Sequence, residues 1–253
     1  MPRMPRNKSG SGIYHIIMRG VNKQNIFKEP EDSDRFIQAL EQYKEISEYE
    51  LFAYCMMGNH LHMLIKVGKE PLEQLMRRIS GKYVYWYNRK YSRIGNLFQD
   101  RFKSEPIDDD SYFLTVLRYI YQNPVKAGLV KRAEQYSGSN CIEYISNKNA
   151  SNVDFVLNMF STNRKTAIDM FVDFINVPNT AVCLDIDDKH RITDEEARVV
   201  IKDLCMIHNS IDMQTIEKSL RNSYLIELKE KYKLPIRQIE RLTGINRGII
   251  QKA

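Results

Sequence analysis

The chain has 253 residues, 43% hydrophobic and 28% charged, with a formal net charge of +6 and a pI near 9.0. That length supports one main domain with an appendage, the composition excludes general disorder, and no apolar run reaches the ~20 residues of a membrane span. The basic N-terminus lacks a signal peptide's apolar stretch, and Cys55, Cys141, Cys183 and Cys205 form no Cys-x-x-Cys pair, so the expectation is a cytoplasmic protein without zinc knuckle or disulfide framework.

Residues 12–19 are β-rich and end at Gly20, which predicts a strand followed by a turn. From Glu29 to about Glu48, Phe36, Ile37, Leu40, Tyr43 and Ile46 recur at helical spacing. Leu51–Met57 reads as a second strand, Gly58-Asn59 as a tight turn, and His60–Val67 as a third strand. Pro71 opens a helix whose period runs through Leu72, Leu75, Met76, Ile79, Tyr83 and Trp86 to about Tyr91. Residues 97–107 alternate again, with Phe98 and Phe102 on one face and Gln99, Arg101 and Lys103 on the other. A last helix is expected from Asp109 to Asn123, stopped by Pro124.

The order β-α-β-β-α-β is the ferredoxin-like pattern of an α+β protein, an antiparallel sheet with two helices on one face. In the third strand Leu61, Met63, Ile65 and Val67 share an apolar face, and His60, His62 and Lys66 lie on the other. His15 and Arg19 fall together in the first strand. The polar face is expected to lie open to a substrate.

Beyond residue 136 the pattern changes, giving three expected regions: 1–136, a helical linker region 137–192, and a helical domain 193–253. Ser137–Asn152 is rich in Ser, Asn and Gly, Phe155–Ile175 suggests short helices, and Asp185, Asp187 and Asp188 mark an acidic connector. Thr193 and Glu196 form a capping box opening another helix. In the all-helical C-terminal extension, Pro235–Gly244 followed by Ile245–Ala253 has a helix-turn-helix pattern. Ile236, Ile239, Leu242, Ile245, Ile249 and Ile250 would form its core, leaving Asn246, Arg247, Gln251 and Lys252 to face DNA; a packing module that touches no DNA fits the same residues.

His60 and His62, two apart in a strand, would present two imidazoles side by side. Tyr119 and Asn123, four apart in a helix, would share a face, so the four together form a divalent-metal site beside a nucleophile. Helical phase separates the neighbouring tyrosines: Tyr121 falls with Phe113, Leu114, Leu117 and Ile120 in the apolar stripe, and Tyr119 with Tyr112, Thr115 and Asn123. Between Arg77 and Lys103 stand eight basic residues (Arg77, Arg78, Lys82, Arg89, Lys90, Arg93, Arg101, Lys103) against one acid, Asp100, interleaved with Tyr83, Tyr85, Trp86, Tyr87 and Tyr91. Basic groups track phosphates and flat rings stack on unpaired bases, although a solvated helix with its rings packed on the sheet has the same composition.

The segments Tyr14–Asn22, His60–His62, Phe98–Ser104 and Tyr119–Val130 together resemble the REP-associated tyrosine transposases, IS200-like members of the HUH (His-hydrophobe-His) endonuclease superfamily. The resemblance spans roughly residues 10–135 and departs at Val21, which separates Arg19-Gly20 from Asn22. It implies a ferredoxin-like core that cleaves and rejoins single-stranded DNA at short palindromic hairpins through a 5′-phosphotyrosine. Tyr119 matches the nucleophile, His60 and His62 the metal-binding pair, and Asn123 the third ligand, with Mg²⁺ or Mn²⁺ the expected ion and no small-molecule cofactor. Arg19, Asn22, Lys23, Arg78, Lys82, Arg89, Lys90, Arg101, Lys103, Arg247 and Lys252 are the expected DNA contacts. His15 and a metal-bound water are the candidate acceptors of the tyrosine proton. Two tyrosines for strand exchange would come from a homodimer; a monomer would have to cut twice. A non-catalytic DNA-binding regulator and a zinc hydrolase of small phosphoesters are the competing readings.

Overall fold

The computed structural model describes residues 6–146, 151–179, 181, 183–185 and 194–253. Four strands, β1 (Ile13–Arg19), β2 (Glu50–Met57), β3 (His60–Lys66) and β4 (Lys103–Ile107), form one sheet in the order β2-β3-β1-β4, with every pair antiparallel. Helices α1 (Pro30–Ser47) and α2 (Leu72–Lys90) connect them in the ferredoxin-like order, and α3 (Asp110–Lys126) follows β4. The fold is therefore the expected α+β sheet with its helices.

Alternation along the strands divides the core in two. Tyr14, Ile16 and Met18 of β1 and Leu61, Met63 and Ile65 of β3 point to α1 and α2, where they meet Phe36, Leu40, Leu75, Ile79 and Tyr83. The opposite face, expected to be open, is covered. Leu64 of β3 and Ala53 and Cys55 of β2 pack against Phe113, Val116, Leu117 and Ile120 of α3. Leu64 follows the same alternation as His60 and His62, so that face is only partly polar and the apolar stripe of α3 seals it.

Two boundaries differ from expectation. β4 begins at Lys103 because Phe98 meets Gly20 only in an isolated bridge and the Gln99 amide donates to the Arg19 carbonyl, bending residues 97–102 out of the ladder. Pro106 stands in this strand, tolerated because β4 is an edge. Helix α3 runs through Pro124 to Lys126, since proline withholds only its own N–H and the Ala127 amide still reaches the Asn123 carbonyl. Gly128, at φ 71°, then turns the chain away.

Residues 137–185 extend the first unit, Met1–Ile186, rather than standing apart. Helices α4 (Cys141–Ile145), α5 (Ser151–Asn158) and α6 (Arg164–Asn176) contribute Cys141, Tyr144, Val156 and Phe171 to the core beneath α3. The segment also seals the β2 edge: Asn140 accepts from the Tyr54 amide and donates to the Phe52 carbonyl, and the Met56 amide reaches Gly138. A Cβ on Gly138 would lie 2.8 Å from the Met56 carbonyl oxygen, so glycine permits this approach.

The second unit, Asp187–Ala253, contains α7 (Asp194–Cys205), α8 (Lys218–Glu230), α9 (Ile236–Thr243) and α10 (Arg247–Lys252). Ala197, Ile201, Leu225, Leu228, Ile239, Leu242, Ile245 and Ile250 form its core. Gly244, at φ 70°, makes the turn between α9 and α10. Ile249, expected inside, is exposed. Asp187, Asp188 and Thr193, with the capping box it would start, lie outside the described residues. Among the described residues no helix is long and apolar enough to cross a membrane.

Candidate active site

The tight turn at Gly58-Asn59 starts β3 at His60, and the loop after β1 holds it in place. The Gly20 amide donates to the Asn59 carbonyl, and the Ile26 and Phe27 amides both reach Gly58. A Cβ on Gly20 would lie 2.1 Å from the Gln24 carbonyl oxygen, so only glycine fits after Arg19. Register then sets the neighbours: Arg19 lies opposite His60, and His15 opposite both Leu64 on β3 and Glu105 on β4. His15, Arg19, His60, His62, Lys103 and Glu105 consequently share the sheet face beneath α3.

Helix α3 lays Tyr119 on this polar set. Its ring meets His15 and His62 edge-on, with centroids 5.9 and 5.7 Å apart, and is only 5% exposed. Tyr121, one ring away in sequence, is fully buried and donates to Asn140 at 3.0 Å. The Tyr119 hydroxyl donates to Asp185 Oδ2 at 2.7 Å, and Lys126 Nζ lies 4.9 Å from its ring centre. Asn123, one helical turn on, donates from Nδ2 to the Tyr119 carbonyl at 2.9 Å.

His62 and His15 are both completely buried, stacked at 5.4 Å, and joined through His62 Nδ1 and His15 Nε2 at 3.1 Å. Burial holds both imidazoles below the ordinary histidine pKa. For His15 the Glu105 carboxylate opposes the effect; for His62 the neighbouring His15 and His60 add to it. Both rings are therefore neutral at pH 7. Burial, and then the Asp185 carboxylate, push the Tyr119 phenol up. Glu105 is held below the usual carboxylate range, foremost by His15, against the opposing effect of burial and with help from Tyr112 and the Leu184 amide.

One buried donor of this cluster fits a divalent ion. His62 Nε2 is buried and unpartnered, and neutral imidazole nitrogens are metal ligands. Among the described residues no three His, Cys, Asp or Glu side chains converge on one point, so an ion at His60 and His62 needs a neutral oxygen such as the Asn123 amide. Two residues of the site lie outside the set expected from the sequence. Asp185, rather than His15, is the group that accepts the tyrosine hydroxyl, and it comes from the connector beyond α6. Glu105 lies two residues past Lys103, so continuing the alternation of β4 places it on this face.

The expected DNA contacts divide. Arg19 joins the site; Asn22 and Lys23, at φ 51° and 59°, are exposed in the turn that follows it. Lys103 Nζ donates to the Asp185 carbonyl at 3.2 Å. With Arg6, Lys8 and Arg101 it also lines an open cavity of about 700 Å³ that Tyr119 does not reach. Arg78, Lys82, Arg89 and Lys90 are not brought to the site, because α2 covers the other face of the sheet. Arg78 pairs with Glu70 at 3.0 Å, and Lys90 with Glu29, Glu31 and Asp32, joining the end of α2 to the start of α1. Of the interleaved rings, Tyr83 and Tyr87 are core and Tyr85 is exposed, again on α2. In the second unit Arg247 and Lys252 are exposed on α10, and the Asn246 side chain caps that helix by accepting from the Gly248 amide.

Residues 8–123, which contain His60, His62, Tyr119 and Asn123, match the family model of IS200-like transposases. This part of the chain is similar to that family. Among individual relatives, a Haemophilus influenzae protein described as a candidate REP-associated tyrosine transposase is 27% identical over 144 residues, covering 53% of this chain and 80% of the relative. The solved structure of a REP-associated tyrosine transposase bound to a REP hairpin superposes with a TM-score of 0.50 at 18% identity, covering 60% of this chain and 90% of that one. That similarity establishes the fold.

Proposed function

We propose that the first unit is a metal-dependent single-strand DNA endonuclease and strand transferase acting at palindromic hairpins, with Tyr119 as nucleophile. The observation that carries this reading is the Tyr119 ring laid on His62 and His15 inside an IS200-like transposase domain. The hairpin substrate follows the relatives, one of which is described as bound to a REP hairpin.

In the reaction the Tyr119 oxygen attacks phosphorus, the phosphate's bond to the upstream 3′ oxygen breaks, and a 5′-phosphotyrosine and a free 3′-OH result. The phenol proton has an acceptor within hydrogen-bond distance in Asp185. His60 and His62 with Asn123 would hold Mg²⁺ or Mn²⁺, which when bound polarises the scissile phosphate. Strand rejoining is the reverse attack by a 3′-OH, using two protomers or one acting twice. Arg19, Asn22, Lys23, Arg101 and Lys103 are the phosphate contacts this geometry favours, and Arg247 and Lys252 offer a second contact from the other unit.

The test compares a hairpin strand carrying unpaired flanks with the same sequence annealed to its complement, at matched salt and with Mg²⁺ or Mn²⁺. Cleavage of the hairpin with little cutting of the duplex is expected, and its binding should weaken steeply with added salt. Equal cutting of both substrates would replace this reading with a duplex nuclease, and binding without any cutting would leave a DNA-binding regulator.

A further inference from the structure

We infer that Glu105 and His15 form a relay that fixes which nitrogen of His62 carries the proton, presenting Nε2 as a bare lone pair to the site. This rests on the proposed role of His62 as a metal ligand, and it names two residues outside that ligand set.

Two neutral imidazoles joined by one hydrogen bond can place their protons in two ways. In the first, His62 Nδ1–H donates to His15 Nε2, the proton of His15 stands on Nδ1, and His62 Nε2 is a lone pair. In the second, His15 Nε2–H donates to His62 Nδ1, leaving a lone pair on His15 Nδ1 and an N–H on His62 Nε2.

The surroundings distinguish them. His15 Nδ1 lies 3.7 Å from Glu105 Oε2, which is beyond a direct hydrogen bond but close enough for the charge to matter. A proton on Nδ1 is attracted by that carboxylate, whereas a lone pair is repelled. The carboxylate is itself held, accepting from the Leu184 amide at 3.1 Å. The second arrangement also buries an N–H at His62 Nε2, an atom with no partner. Each arrangement therefore buries one N–H without a hydrogen-bond acceptor, on His15 Nδ1 in the first and on His62 Nε2 in the second, but only the first sets that N–H beside a carboxylate, and it leaves the His62 Nε2 lone pair, which a cation completes. Ligating histidines commonly donate their other N–H to a carboxylate or carbonyl; here a second histidine passes the effect of the carboxylate from the edge strand β4 across β1 to β3.

Long-range ¹⁵N–¹H correlation spectra of the full chain, free of metal, report the tautomer of each histidine directly. His62 is expected to carry its proton on Nδ1, and His15 likewise. Glu105→Gln removes the charge; it should shift His62 toward a mixture of tautomers and weaken Mn²⁺ binding by calorimetry about 10–100-fold, with an unchanged thermal midpoint. A wild-type His62 protonated on Nε2 overturns the relay, as does a Glu105→Gln protein with wild-type tautomers and wild-type Mn²⁺ affinity. Because the wild-type spectrum needs no variant, a misfolded Glu105→Gln protein leaves the test intact. An Nδ1 proton on His62 in a protein that binds no Mn²⁺ would sustain the relay and defeat the metal site instead.

Discussion

The two faces of the one sheet are built from alternate residues of the same strands, yet they do different work. On the α1–α2 face the inward positions of β1 and β3 are apolar, and polar groups close local contacts, as when Tyr49 donates to the Leu40 carbonyl at 2.8 Å. On the α3 face His15, His62 and Glu105 are inserted among Leu64, Ala53 and Ile107, and Tyr119 closes over them. Burying such groups is costly unless each finds a partner; the chain supplies some from β1, β4 and the connector at Asp185, and leaves His15 Nδ1 and His62 Nε2 without a hydrogen bond. One face specifies the fold by packing, and the other holds a polar cluster that packing alone would exclude.

Substitutions on the two faces should separate stability from chemistry. The largest loss of stability is expected on the apolar face: Phe36→Ala opens a void under α1 and should cost about 3–5 kcal/mol in chemical denaturation. Next comes the clamp between α1 and α2, where Asp32 accepts from the Lys28 and Glu29 amides and from Lys90. Asp32→Ala leaves the part-buried Lys28 and Glu29 amides without this acceptor, while Lys90 keeps Glu29 and Glu31, and should cost about 1–3 kcal/mol. Burial would raise the Asp32 pKa, but Lys90 and the two amides hold it below the ordinary value. The stabilisation is therefore present above the unfolded-state pKa of about 3.9 and is lost as pH falls through the lower folded value, so the variant's denaturation midpoint should vary less with pH in that acid range.

Smaller effects are expected around the tyrosines. Tyr121→Phe removes one hydroxyl from an Asn140 that keeps its Tyr54 amide, so about 1 kcal/mol should be lost in denaturation and cleavage retained. Asp185→Asn removes a negative charge from the Tyr119 hydroxyl, so ¹³C-tyrosine titration should show that phenol ionising at lower pH, though still above an ordinary tyrosine because the ring remains buried. An unmoved Tyr119 titration would mean that burial alone sets its value.

Local periodicity made most of the first unit legible. Period-2 runs defined β1, β2 and β3, the Gly58-Asn59 turn fixed the hairpin, and helical phase separated Tyr119 from Tyr121. The same phase argument misjudged exposure, because it took a polar face for an open one while α3 folds onto the sheet. The basic residues of α2 were misplaced for a different reason. Their composition suits a nucleic-acid surface, but Leu61 and Met63 pointing toward the helices already implies that α2 lies opposite His60 and His62. Asp185 could not be read at all, since its link to Tyr119 spans 66 residues and depends on how the connector returns over the sheet.

The most direct measurement is the identity of the tyrosine that becomes covalently attached to DNA. Wild-type protein, Tyr119→Phe and Tyr121→Phe would each be incubated with a hairpin strand bearing unpaired flanks and Mn²⁺, and adducts mapped by peptide mass spectrometry. The wild-type and Tyr121→Phe proteins should carry the nucleotide on Tyr119, and Tyr119→Phe should carry none while retaining hairpin affinity. An adduct that persists in Tyr119→Phe, or one mapped to another tyrosine, would contradict the assignment of Tyr119 as the nucleophile.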